Sequence, residues 1–157
     1  MARHPLKKKN IISPDHKYNS IKVEKFINYI MEDGKKEIAR KIVYKAFDVI
    51  QKETKTDTPL EIFDKALKNV GPLTEVRSRR IGGANYTVPR DVRAERRLTL
   101  AMRWILQAAR AGKGRAMYLS LGEELIAASN NEGEAVTKRI NTHKMAEANK
   151  AFAHFAW

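Results

Sequence analysis

Apolar residues recur at the three- and four-residue spacing of helices through most of this chain, and give way to alternation only between Leu73 and Val88. Asn19 or Ser20 supplies a cap for a first helix running to about Met31, with Ile21, Phe26, Ile27 and Ile30 along one side. Asp33-Gly34 stops it. A second helix, from about Lys35 to Thr54, turns Ile38, Ile42, Ala46, Phe47 and Ile50 toward a core and leaves Lys41 and Lys45 outside. Thr58 and Glu61 have capping-box spacing around Pro59, which marks the start of a third helix with Ile62, Phe63, Ala66, Leu67 and Val70 as its stripe. Gly71-Pro72 ends it.

The alternating stretch predicts a β-hairpin over about 73–88, with a Gly82-Gly83 turn that requires positive φ. Glu75, Arg77 and Arg79 fall on one face and Thr74, Val76, Ser78 and Arg80 on the other, so neither face is wholly apolar. A two-stranded ribbon is marginally stable alone, so the pattern predicts an arm that projects from the domain and orders on a ligand. After Pro89 a helix is predicted from about Asp91 to Ala111. Leu98, Ala101, Met102, Ile105, Leu106 and Ala109 share one arc, and Arg93, Arg96, Arg97, Arg103 and Arg110 share the other. Two further helices follow, from about Ala116 to Ser129 and from about Glu134 onward. The apolar positions of the last are scattered around its wheel, and it runs into Phe152, Phe155 and Trp157. The expected fold is mainly α, a bundle of about six helices with one projecting hairpin between the third and fourth. Residues 1–18 lack periodicity and read as a basic arm, and 19–157 as a single helical domain.

Charge changes this picture from architecture to function. Ten of the thirteen arginines lie between Arg77 and Arg115, where eleven cations meet only Asp91 and Glu95 for a net +9. Residues 116–135 carry four acids and no Lys or Arg, and with no neighbour to balance them these acids are expected to face solvent or a basic protein partner. So segregated a field suits a polyanion, and the clustering points to nucleic acid. Arginine engages phosphate with a planar fork and stacks on unpaired bases, which suits the irregular phosphate clusters of folded RNA better than B-DNA. The 157 residues suffice for one ordinary domain, and the absence of cysteine excludes a disulfide framework, a thiol nucleophile and Cys-based metal sites. No apolar run approaches bilayer length, and the start Arg3 to Lys9 leads into Asn10-Ile11-Ile12-Ser13-Pro14 rather than a signal-peptide core. No membrane contact, cofactor, metal or small-molecule substrate is expected.

The segments KFINYIMEDGKK (Lys25 to Lys36), EVRSRRIGGANYTVP (Glu75 to Pro89), VRAERRLTLAMRW (Val92 to Trp104) and HKMAEANKAFAHFAW (His143 to Trp157) closely resemble the bacterial and organellar form of small-ribosomal-subunit protein seven. The resemblance covers nearly the whole chain. It departs at the start, Met1-Ala2-Arg3-His4-Pro5, where the family often has a denser arginine run, and at Phe155-Ala156-Trp157, where Tyr-Arg-Trp is more usual. It implies a structural protein, not an enzyme, that binds the 3′ major domain of small-subunit ribosomal RNA early and nucleates assembly of the subunit head. It further implies neighbouring head and platform ribosomal proteins as partners, a location in the cytoplasm or organelle matrix, and a hairpin tip (Ile81, Gly82, Gly83, Ala84, Asn85, Tyr86) near messenger RNA and exit-site transfer RNA.

The expected ribosomal RNA contacts begin with Arg3, Lys7, Lys8 and Lys9 of the arm and with Lys25, Lys35 and Lys36. They continue through Arg77, Arg79 and Arg80 of the hairpin, Arg90, Arg93, Arg96, Arg97, Arg103 and Arg110 around the fourth helix, Lys113 and Arg115 of the following loop, and Lys138, Arg139 and Lys144 of the last helix. The competing reading of each is a solvated edge or helix face. For the fourth helix, two nearby acids cannot pair five arginines. Trp104 enters the basic arc, where packing against another helix is favoured over base stacking. Gly112-Lys113-Gly114 lacks the first glycine and the Ser or Thr of a phosphate loop. His143, Glu147 and His154 read as surface groups rather than a metal site, and Asp91 and Glu95 as first-turn acids rather than a catalytic pair. The alternative function is a DNA-binding regulator using the basic helix 91–111, although a hairpin stands where a helix-turn-helix needs a short helix. An RNA-modifying enzyme lacks any cofactor or nucleophile pattern here.

Overall fold

The computed structural model describes residues 12–112 and 114–155. Helices form where the periodicity places them: α1 (Ile21–Ile30), α2 (Lys36–Thr54), α3 (Pro59–Val70), α4 (Ala94–Ala111), α5 (Met117–Ser129) and α6 (Glu134–Ala148). Strands β1 (Thr74–Ile81) and β2 (Ala84–Asp91) form the hairpin between α3 and α4, and a 3₁₀ turn covers Lys150–Phe155. The fold is therefore mainly α with one inserted antiparallel ribbon, as the sequence predicts.

α5 is apolar on nearly all sides and packs against α2, α3 and α4, with Leu121, Leu125 and Ala128 fully buried. Gly122 sets how near α2 comes, since a Cβ there would lie 3.0 Å from Val49 Cγ1 and 3.3 Å from the Ala46 carbonyl oxygen. Phe26, Phe47 and Phe63 meet in the core between α1, α2 and α3, with ring centroids 5.2 and 5.6 Å apart. This close fit turns α2 so that Ala39, Val43, Ala46, Phe47 and Ile50 face inward. Ile38 is consequently 56% exposed and Ile42 half-buried, against the expected stripe. Ile21 is likewise 52% exposed, and Val23 takes the buried position in α1.

Polar side chains close the helix ends. Asn69 Nδ2 donates to the carbonyl oxygens of Ala128 and Ser129 at 3.0 and 2.9 Å, satisfying the end of α5. Glu124 Oε1 accepts from Ala135 N at 3.0 Å, which anchors the start of α6. The Thr58 side chain makes no capping bond; α3 starts at Pro59 with Glu61 N donating to the Thr58 carbonyl oxygen at 3.2 Å. Before α1, Asp15 is 2% exposed, with Oδ2 accepting from Lys17 N and Tyr18 N, and the Tyr18 ring packs edge-on to Tyr44 and Phe47. That stretch is fastened to α2.

The ribbon is longer than expected. Thr74 pairs with Asp91 and Ile81 with Ala84, around Gly82 (φ +57) and Gly83 (φ +91), the two positive-φ positions of a type I′ turn. Val92 N then donates to the Leu73 carbonyl oxygen at 2.9 Å, so the chain stays extended to Asp91 and α4 starts at Ala94. Pro89 is tolerated because both strands of a two-stranded ribbon are edges.

Candidate nucleic-acid interface

Register places Glu75, Arg77, Arg79, Tyr86, Val88 and Arg90 on one face of the ribbon. That face is covered. Val88 is buried, Tyr86 packs against Phe152 and Phe155 with centroids 5.5 and 5.3 Å away, and Arg79 donates to the Phe155 carbonyl oxygen. The 3₁₀ turn thus props the hairpin from below. α6 holds the other end, where Leu73 N donates to His143 Nε2 at 3.0 Å. Burial and the charges of Arg139 and Arg97 lower the pKa of His143, which suits a neutral ring accepting this bond.

Glu75 is the centre of the charge arrangement. Only 7% exposed, its Oε1 accepts from Arg90 Nε and Nη2 at 3.0 and 2.7 Å, and Arg96 brings Nε to 2.8 Å and Nη2 to 2.7 Å of its carboxylate. Arg77 Nε stands 3.9 Å away. Burial works to raise the Glu75 pKa, but hydrogen bonds and charge from Arg96 and Arg90 prevail and hold it below the usual carboxylate range. A groove of about 1160 Å³ opens beside this cluster, between the ribbon base, the start of α4, the end of α6 and the 3₁₀ turn. Its cations are Arg90, Arg93, Arg96 and Lys150, and its acids Asp91 and Glu147.

The remaining basic residues divide by whether the fold uses them. Arg97 donates to the Gly71 and Lys68 carbonyl oxygens at 3.0 and 3.2 Å, and Arg139 to that of Asn69 at 2.6 Å. Arg110 donates to the Ile30 carbonyl oxygen at 3.3 Å and pairs with Glu32 at 2.8 Å. Arg103 lies 5.6 Å over the Tyr29 ring. Arg115 grips Glu123, which corrects the expectation that the acids of 116–135 face solvent or a partner: Glu123 has this neighbour and Glu124 serves α6. Lys36 pairs with the buried Glu24, and Lys35 sits 3.5 Å from Asp33. Lys138 donates to Gln107 Oε1 and lies 5.9 Å from the Trp104 ring, which packs half-buried against the core. No acceptor among the described residues takes the side chains of Lys25, Arg80, Arg93 or Lys144. Arg3, Lys7, Lys8, Lys9 and Lys113 lie outside the described residues.

The five arginines of α4 and its cap therefore do not form one outward stripe. Arg96 is taken by the distant Glu75, and Arg97 and Arg110 reach backbone carbonyls, all of which local counting of acids misses. The hairpin tip is exposed from Gly82 to Asn85, with Ile81 and Tyr86 half-buried. Among the described residues no three of His, Asp and Glu gather to hold a metal ion, and no helix is long and apolar enough to cross a membrane.

A helical body that grips an arginine-rich ribbon at both ends and opens a cationic groove at its base belongs to the class of architectural RNA-binding proteins. Residues 1–150 match the family described as ribosomal protein S7p/S5e, and the chain belongs to that family. It is 56% identical over 149 residues to the small ribosomal subunit protein uS7 of Thermotoga maritima, covering 95% of this chain and 96% of that one. The protein of the same name from Caldanaerobacter subterraneus subsp. tengcongensis is 54% identical over 153 residues, with 98% and 97% covered. That of Salinibacter ruber is 52% identical over 155 residues, with 99% of each covered. The chain is a structural, non-enzymatic constituent of the small ribosomal subunit, located with the ribosome in the cytoplasm, and its partners are ribosomal RNA and ribosomal proteins.

Proposed function

We propose that this chain docks on the 3′ major domain of small-subunit ribosomal RNA through the groove at the ribbon base, and thereby nucleates the subunit head. The observation that carries this reading is the convergence of Arg90, Arg93, Arg96 and Lys150 on one groove, with Arg77 standing beside it. Cations gathered from β2, α4 and the 3₁₀ turn match a folded phosphate surface rather than a single strand. Arg80, Lys25, Lys144 and the basic arm 1–18 widen the contact. The residues engaged within the fold, Arg97, Arg110, Arg115, Arg139 and Lys36, keep donors for RNA while they hold helices together. The exposed turn from Gly82 to Asn85 reaches messenger and exit-site transfer RNA. A DNA-reading role for α4 is disfavoured, since Arg97 and Arg110 are turned onto carbonyl oxygens of α3 and α1 and cannot enter a major groove.

Hydroxyl-radical footprinting on naked small-subunit RNA tests the reading. Protection is expected in the 3′ major domain, and is expected to fade when Arg93 and Lys150 are both replaced by Gln. Protection confined to another domain, or unaffected by the double replacement, refutes it.

A further inference from the structure

We infer that the buried carboxylate of Glu75 is a positioning residue for RNA binding: it aligns the Arg90 and Arg96 guanidiniums so that each offers its free donors to phosphate in the groove. The inference rests on the groove reading above and names what organises it. Arg90 gives Nε and Nη2 to Glu75, Arg96 gives Nε and sets Nη2 2.7 Å from Oε2, and no acceptor among the described residues takes Nη1 of either. Their side chains remain 39% and 42% exposed, while that of Glu75 is only 9% exposed. One negative charge thus lies beneath two close guanidiniums with a third nearby, an excess of cation that folding alone does not require. Glu75 arrives across the ribbon from Arg90, and Arg96 arrives from the first turn of α4, so one carboxylate fixes two elements at the angle the groove needs.

An arginine otherwise samples many rotamers, and ordering it on binding is unfavourable. Held in advance by one edge, it presents the other ready to engage. This arrangement makes an acid near a polyanion favourable, opposite in sign to what net charge dictates.

The sign of one substitution tests it. Glu75→Gln raises the protein's net charge by one, so a charge-only interface binds RNA more tightly. The expected result is instead at least a roughly five-fold weaker Kd for a 3′ major domain fragment at fixed salt, with circular dichroism and ribbon amide exchange confirming the fold. Equal or tighter binding overturns the inference. Should Glu75→Gln fail to fold, Arg90→Lys and Arg96→Lys carry the test, because lysine keeps the charge but cannot hold a fork. Each is expected to weaken binding about three-fold or more, and unchanged affinity overturns the positioning role. Arg93→Gln separates the two claims: if it weakens binding while the Glu75 variant does not, the groove stands and the positioning role falls. If neither weakens it, the groove itself is wrong.

Discussion

The Tyr44 hydroxyl donates to Asp15 Oδ1 at 2.8 Å and so ties the stretch before α1 to the middle of α2. Asp15 is almost wholly buried, and among the described residues Oδ1 otherwise has only Arg40 Nε at 4.0 Å. Removing the hydroxyl strands a buried acceptor. Tyr44→Phe is expected to lower stability by about 1–3 kcal/mol in denaturant unfolding, with the m-value unchanged.

The same bond has a pH signature. Burial, then the hydrogen bond to Asp15 and its charge, push the Tyr44 phenol from 10.0 up to about 12. The folded chain thus holds this proton more tightly than the unfolded chain. Its contribution is fully present below pH 10 and is lost as pH rises to about 12. Ultraviolet titration is expected to show one tyrosine ionising near 12, absent from Tyr44→Phe.

Gly122 fixes the approach of α5 to α2. Gly122→Ala would press a methyl against Val49 Cγ1 and the Ala46 carbonyl oxygen, and the latter is backbone that yields little. A loss of about 1–3 kcal/mol in thermal unfolding is expected, typical of overpacking. Val49→Ala in the same chain makes room at Cγ1 and is expected to recover part of it.

The helices and the ribbon were legible in the sequence because local signals agree there: Pro59 after Thr58, Asp33-Gly34, and Gly82-Gly83 between alternating runs. Helix rotation was less so. Ile38 and Ala39 lie about 100° apart on the wheel, and it is the packing of α2 against its neighbours that buries the alanine and leaves the isoleucine exposed. The basic cluster was legible as a composition, but the use of each arginine was not. Glu75 is 21 positions from Arg96, and the carbonyls met by Arg97, Arg110 and Arg139 carry no sequence signal. The C-terminal prop could have been suspected from Phe152 and Phe155 repeating three apart beside a ribbon that presents Tyr86.

That prop makes the two neighbouring arginines of β1 separable. Arg79 donates to the Phe155 carbonyl oxygen, whereas Arg80, on the opposite face, has no acceptor among the described residues. Arg80→Ala is expected to reduce the log-log salt slope of RNA binding by roughly 0.7–0.9, as for one lost phosphate contact, and to leave ribbon amide exchange unchanged. Arg79→Ala is expected to speed exchange across Tyr86 and Val88 as well. Equal exchange rates in the two variants would remove the prop.

His143 gives the ribbon base an acid sensitivity. Its pKa is lowered from 6.5 first by burial and then by Arg139 and Arg97, and its Nε2 is occupied as an acceptor for Leu73 N. The folded state therefore binds this proton less readily than the unfolded state. The stability it contributes is present above pH 6.5 and is lost as pH falls from there through the folded-state value. Protonation also places a donor against the Leu73 N–H, so the base of β1 should part from α6 before the core unfolds. The melting temperature of the wild type is expected to drop more steeply between about pH 7 and 5 than that of His143→Gln, whose amide oxygen accepts without titrating. In the same window the Leu73 amide is expected to lose exchange protection while the amides of Leu121 and Leu125 keep theirs. Parallel melting curves for the two proteins would show that the imidazole does not couple the ribbon to α6.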